Sequence, residues 1–200
     1  SDTASRVTSL PRSLSDIHID ILLKSMSKSY KVSLTAITSA DLPTLLKWIN
    51  NRQDVLLNAP YKPVSEKEHQ AWFEEIQSRH EVVIFGIRLQ KTRKLIGTCQ
   101  LRNIHFIHRS AELQIRVGEP AYRGGGYGTE AVELLLEFAF KDLNLQRVYL
   151  HVFKSNEPAL RSYEKVGFVR EGVLRNAAHI DGQYVDIVVM GILRDEYAGR

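Results

Sequence analysis

Val32, Leu34 and Ala36 alternate with polar residues, which predicts a strand beginning just after Lys31. Leu42, Leu45, Leu46 and Ile49 then recur at helical spacing, with Ser39 as the expected cap. Residues 50–63 lose that period and carry the breakers Pro60 and Pro63, so a loop is expected. Ser65-Glu66-Lys67-Glu68 has the spacing of a capping box and opens a helix through Trp72, Phe73 and Ile76. Val82 to Leu89 and Leu95 to Leu101 read as strands joined by the polar turn Lys91-Thr92-Arg93-Lys94. From Ala111 to Val117 the apolar Leu113, Ile115 and Val117 alternate with Glu112, Gln114 and Arg116, so the three polar side chains share one face of a strand. A glycine-rich turn from Arg123 to Gly128 leads into an apolar-faced helix that reaches Asp142. Arg147 to Phe153 is a strand, and Glu157 to Val166 a short helix stopped by Gly167. Phe168 to Arg175 and Gln183 to Leu193 are strands turned by Asp181-Gly182. This order predicts an α/β (α+β) sheet, parallel only where helices cross over.

Composition narrows the picture. At 200 residues, 44% hydrophobic and 25% charged, the chain has the makings of one globular domain. Residues 1–30 are serine-rich and lack a long apolar period, so they are expected to be an extension, a leader or a tag, with Met26 as a natural start; the domain is expected over 31–200. No apolar run approaches the ~18 residues of a membrane span. A net charge of +4 suits anionic ligands but falls short of a nucleic-acid tail. Cys99 is the only cysteine, which excludes an internal disulfide and a cysteine zinc site and fits a reducing, cytoplasmic setting. His105 and His108 have no further ligands near them, so no metal is expected.

The segment from Val117 to Glu130 is the richest in chemistry: a strand ends, glycines follow, and a helix begins. A helix start offers unpaired amides and the positive end of the dipole, and glycines let a phosphate approach them closely. Arg123 adds a cationic donor fork. Neither the P-loop spacing nor G-x-G-x-x-G is met, because Thr129 stands where the last glycine is needed. A diphosphate cradle and a ligand-free turn both fit at this level.

Arg123-x-x-Gly126-x-Gly128 resembles the R/Q-x-x-G-x-G/A signature of the GNAT N-acetyltransferase superfamily. The likeness runs from about Lys31 to Tyr197. Asn156-Glu157-x-Ala159-x-x-x-Tyr163-Glu164-Lys165-x-Gly167-Phe168 is similar to a later family motif, and the closing Glu171-Gly172-x-x-Arg175 and Asp181-Gly182-x-Tyr184-x-Asp186 resemble the RimJ/RimL-type branch. The resemblance implies a mixed, mostly antiparallel central sheet flanked by about four helices. It implies acetyl-CoA as co-substrate, with its pyrophosphate on Arg123, Gly124, Gly125, Gly126, Tyr127, Gly128 and Thr129, and its pantetheine on the main chain of Ile115, Arg116 and Val117 and on Asn156. Asn156 is equally suited to cap the following helix. Tyr163 stands at the family's general acid, able to protonate a thiolate, since phenols titrate near ~10 and thiols near ~8.5. Glu112 stands at the spacing of a general-base glutamate; an ordinary polar strand face or a substrate-orienting carboxylate fits it too. Cys99 is expected to be a small apolar strand residue rather than a nucleophile.

The acceptor is less legible. Arg88, Lys91, Arg93, Lys94, Arg102 and Arg109 fall in a stretch without acids, which reads as an anion-binding surface or as a solvated hairpin face. Asn103 to Ile115 resembles spermidine N-acetyltransferases, yet a polyamine site needs carboxylates, which would have to come from Glu66, Glu68, Glu74 and Glu75. Ser65-x-x-Glu68-His69-x-x-Trp72-Phe73 resembles amino-sugar N-acetyltransferases. A small-molecule primary amine is expected ahead of a ribosomal-protein N-terminus. The different-class alternative is a silent acyl-CoA-binding domain. Family members are often dimers, but no residue here marks an interface.

Overall fold

The computed structural model describes residues 30–198, so the expected extension over residues 1–30 lies, but for Tyr30, outside the described residues. Strands β1 (Val32–Ala36), β2 (Val83–Leu89), β3 (Leu95–His105), β4 (Ser110–Val117), β5 (Arg147–Phe153), β6 (Val169–Ile180) and β7 (Gln183–Leu193) form a seven-stranded sheet in the order β1-β2-β3-β4-β5-β7-β6. Every neighbouring pair is antiparallel except β4 and β5. The helices are α1 (Leu42–Ile49), α2 (Arg52–Val55), α3 (Glu66–Ile76), α4 (Tyr127–Glu137), α5 (Glu157–Val166) and α6 (Arg194–Ala198). No described helix is long and apolar enough to cross a membrane.

The core forms where strand alternation meets helical spacing. Leu34, Ile87, Ile96, Leu101 and Leu113 from the sheet pack with Ala131, Leu134, Leu135 and Phe138 from α4 and its continuation. Leu42, Leu45 and Trp48 of α1 join Leu95 in a second, smaller cluster, with Trp72 and Phe73 of α3 against it. Each fully buried side chain of this size stabilises the fold by about 1.5–3 kcal/mol before entropy is counted.

Five expectations need correction. The first helical turn is a 3₁₀ segment over Ser39–Asp41, so the cap moves from Ser39 to Thr38: Asp41 Oδ2 accepts from Thr38 N at 2.9 Å and from Thr38 Oγ1 at 3.1 Å. The expected loop over 50–63 contains α2, too short to carry a readable apolar period. The helix after the glycine turn leaves α geometry at Phe138 and finishes as a π-helical turn over Phe138–Asp142. With α2 and α6 added, about four expected helices become six among the described residues. The basic stretch is not an open cationic surface either. Arg88 Nη2 lies 2.7 Å from both oxygens of buried Asp41, Arg102 clamps Glu112, and Arg109 donates to the Asn144 carbonyl.

Candidate active site

The site begins where the one parallel pair parts. β4 and β5 pair through Ser110↔Arg147, Ala111↔Val148 and Glu112↔Tyr149, and there the pairing stops. Beyond it β5 continues against β7 and β4 against β3, so the two strands diverge. The opening holds a cavity of about 450 Å³. Gln114, Ile115 and Arg116 line it from β4, His151, Val152 and Phe153 from β5, and Tyr163 from α5. Leu45 and Trp48 of α1, with His69 and Trp72 of α3, close the opposite side. Gly118 lets this wall come close: a Cβ there would lie 2.1 Å from the Trp48 ring.

At one end of β4 the glycine turn delivers α4. Gly126 caps the helix with φ 83°, a left-handed conformation suited to glycine, and no side chain caps the helix start. The amides of Tyr127, Gly128 and Thr129 therefore open the helix beside the exposed Gly124, Gly125 and Gly126. Lys31 Nζ donates to the Gly125 carbonyl at 3.1 Å, and Lys31 N donates to Glu130 Oε2 at 2.6 Å, occupying the acid in the first helical turn. A linked diphosphate fits this cradle: amides that no side chain caps, with the Lys31 ammonium nearby.

Arg123 does not extend freely from the loop. Its guanidinium donates to the carbonyls of Val117 (3.1 Å) and Gly118 (3.3 Å) and to Asp54 Oδ1 (2.7 Å). Those bonds hold the loop to the end of β4, and Arg123 keeps the Asp54 carboxyl below the usual carboxylate range. The Thr129 hydroxyl meets Ser162 Oγ at 2.8 Å and so ties α4 to α5. Of the three β4 residues expected at the pantetheine, Ile115 and Arg116 line the cavity, while the Val117 carbonyl is occupied by Arg123. Asn156 is the cap of α5, accepting from Ala159 N at 3.3 Å, and it does not line the cavity.

Tyr163 sits on α5 between Leu160 and Val166, both buried, and its ring meets Phe168 edge-on at 5.8 Å. Burial pushes its phenol up to about 12, so it stays protonated. Cys99 shares the cavity wall; burial pushes its thiol well up as well, which leaves it no thiolate to attack with.

Glu112 is only 4% exposed and does not line the cavity. Arg102 donates to both its oxygens, at 3.0 and 3.1 Å, and Asn103 Nδ2 donates to Oε2 at 3.0 Å. Asn103 reaches it from an irregularity in β3, where its φ is 51°. Glu112 Oε1 also lies 3.1 Å from His151 Nδ1. Burial raises the carboxyl, but the hydrogen bonds from Arg102 and His151 outweigh it and hold the group below its ordinary value. Glu112 is thus a clamped anion in contact with His151, and of the two only His151 lines the cavity.

His151 was not singled out by sequence. Its signal, a titratable side chain two residues beyond the partner of Glu112, needs the β4–β5 register to be visible. Glu66, Glu68, Glu74 and Glu75 lie on the exposed face of α3, and His69 and Trp72 face the cavity instead. Among the described residues the cavity lining includes no carboxylate, and no group of three or more metal-ligating side chains occurs.

Comparison with known proteins agrees with this geometry. The family model described as acetyltransferase (GNAT) domain matches residues 31–169. A spermidine N(1)-acetyltransferase of Vibrio cholerae is 34% identical over 85% of this chain and 97% of its own length. A spermidine N(1)-acetyltransferase of Escherichia coli K12 is 41% identical over 50% of this chain and 54% of its own. The crystal structure of the spermidine N-acetyltransferase from Vibrio cholerae, in complex with CoA and spermine, superposes with a TM-score of 0.78 and 32% identity over 84% of this chain and 98% of that one. Bare amides at a glycine-capped helix, a splayed strand pair and a family match across most of the domain lead to one assignment: the chain belongs to the GNAT acetyltransferases and is an acetyl-CoA-dependent N-acetyltransferase.

Proposed function

We propose that the enzyme acetylates a primary amine of a small molecule by direct attack in a ternary complex, with His151 and Tyr163 as catalytic residues and Glu112 as a positioning residue. The observation that carries this is that His151 and Tyr163 line the same cavity, at the mouth of the strand splay. His151 turns Nδ1 to Glu112, which leaves Nε2 to accept the proton of the incoming ammonium. Glu112 orients the ring and stabilises the imidazolium that forms. The freed nitrogen attacks the thioester carbonyl, a C–N bond forms, and main-chain amides along the unpaired edge of β4 support the oxyanion. The C–S bond breaks as Tyr163 gives its proton to the departing sulfur, and the proton that the acylated nitrogen must shed returns to the phenolate, leaving thiol, neutral amide and a protonated His151 that releases its proton to water.

A phenol near 12 is a weak acid toward an ordinary thiolate. Desolvation raises thiols as it raises phenols, so a thiolate leaving into the same apolar wall would gain proton affinity alongside Tyr163. The Gly124–Thr129 turn and the start of α4 would hold the pyrophosphate, with Ile115 and Arg116 beside the pantetheine. The relatives' names make a polyamine the first acceptor to test. A lining without carboxylates favours, as a second reading, an amine on a neutral body such as an amino sugar.

The test is thiol release from acetyl-CoA across a panel of polyamines, amino sugars and peptide N-termini, with the N-acetyl product identified by mass. Turnover confined to small amines is expected. Turnover of peptides alone, or CoA binding with no turnover, would refute the proposal.

A further inference from the structure

Among the described residues one buried side-chain polar atom, on a residue that lines the cavity, is left without a partner. His69 is 5% exposed, lines the cavity, and its Nε2 is buried with no hydrogen-bond partner. Such atoms are rare, and leaving one unmet costs about 1–3 kcal/mol. The ring does not turn freely to find a partner. It stacks on Trp72, with centroids 5.1 Å apart and planes inclined by 12°, and a hydrogen bond to the Leu42 main chain holds it. That bond keeps the proton on the other ring nitrogen, so Nε2 presents a lone pair. Burial holds the imidazole below its ordinary value despite the Leu42 bond, so it is neutral at working pH.

The rest of the wall sets what kind of donor suits it. Its other polar side chains include Asn58, Gln100, Gln114 and Arg116, with Gln100 Nε2 donating to Gln114 Oε1 at 2.7 Å. Trp48 and Trp72 present apolar rings, and the charge that Arg116 brings is positive. A second ammonium on the acceptor finds no carboxylate in this lining, whereas a hydroxyl or amide N–H finds both an acceptor and neutral neighbours.

We infer that His69 Nε2 accepts a hydrogen bond from a neutral donor on the body of the acceptor, and that the enzyme selects amines carrying hydroxyl or amide groups, of amino-sugar type. The inference rests on the proposed N-acetylation of a small amine in this cavity.

The experiment measures kcat/KM with acetyl-CoA for glucosamine, its deoxy analogues, butylamine and spermidine. Wild type is expected to prefer an amine that bears hydroxyls over butylamine and spermidine. His69→Phe keeps a ring against Trp72 but removes the lone pair; it should lower the preference for glucosamine over butylamine about tenfold or more. His69→Gln, which restores an acceptor, should recover part of it. Calorimetry with CoA and a melting curve check that each variant folds. The inference is overturned if spermidine is the best substrate of the wild type, or if His69→Phe lowers all amines in equal proportion. No thiol release with any amine would instead remove the proposed function beneath it.

Discussion

His151 Nδ1 and Glu112 Oε1 meet at 3.1 Å just beyond the last rung on which β4 and β5 are paired. A buried, clamped carboxylate thus touches the one imidazole that lines the cavity from β5. Replacing His151 by Gln should lower kcat about 10²- to 10⁴-fold at neutral pH and remove the acidic limb of the pH–rate profile. Glu112→Gln should do less, because the ring keeps Nε2 and loses only the carboxylate that orients it. Steady-state kinetics of both variants decide the order of the two residues; an equal loss in both, or no loss in His151→Gln, would refute it.

Tyr163→Phe should lower kcat about 10²- to 10⁴-fold with little change in acetyl-CoA affinity. Because burial lifts the phenol to about 12, the wild-type rate should show no alkaline decline from Tyr163 up to pH 10. Thiol release followed from pH 6 to pH 10 checks both statements.

Gly126 holds φ 83° at the start of α4. An alanine in that conformation costs about 1–2 kcal/mol, which should raise the KM for acetyl-CoA by roughly 5- to 30-fold while kcat changes little. Gly126→Asn should be milder, since asparagine tolerates the left-handed region better. Isothermal titration with CoA measures the difference.

Asp41 and Arg88 form a largely buried pair at 2.7 Å. Removing one partner by Asp41→Asn should reduce unfolding free energy by about 3–5 kcal/mol. Burial raises the Asp41 carboxyl, but the Thr38 main chain and Arg88 outweigh it, so the folded pKa lies below the unfolded one. Its stabilisation is therefore complete above the unfolded value of about 3.9 and is lost as pH falls through the folded one. Urea titrations at pH 7 and pH 3 should show a smaller acid loss for the variant than for wild type.

Much of the fold was legible because the local signals agreed with one another. Ser65 and Glu68 form the capping box their spacing announced, and Asn156 and Gly167 bound α5 as read. The Asp181-Gly182 turn also joins β6 to β7 as expected, with φ 49° and 83°. The places of Gly126 at a helix start and of Tyr163 on α5 were legible because each is set within one turn or one helix. The Glu112–His151 contact was not, because it depends on the register of two strands 30-odd residues apart. His69 was visible only as part of a helix motif: its partner on one side is a main-chain group of α1, and on the other it has none. The basic stretch was misleading for a related reason, since the partners of Arg88 and Arg109, Asp41 and Asn144, come from distant segments.

The parting of β4 from β5 divides the labour of the molecule. In the proposed reaction the sheet edge and the glycine-capped helix would hold the acyl donor and His151 would take the amine's proton, while α1 and α3 add Leu45, Trp48, His69 and Trp72 to the cavity from outside the sheet. Exchange of residues 42–76 alone thus offers a route to retarget the enzyme without disturbing its thioester chemistry, and a library confined to that segment is the economical place to look for new specificities.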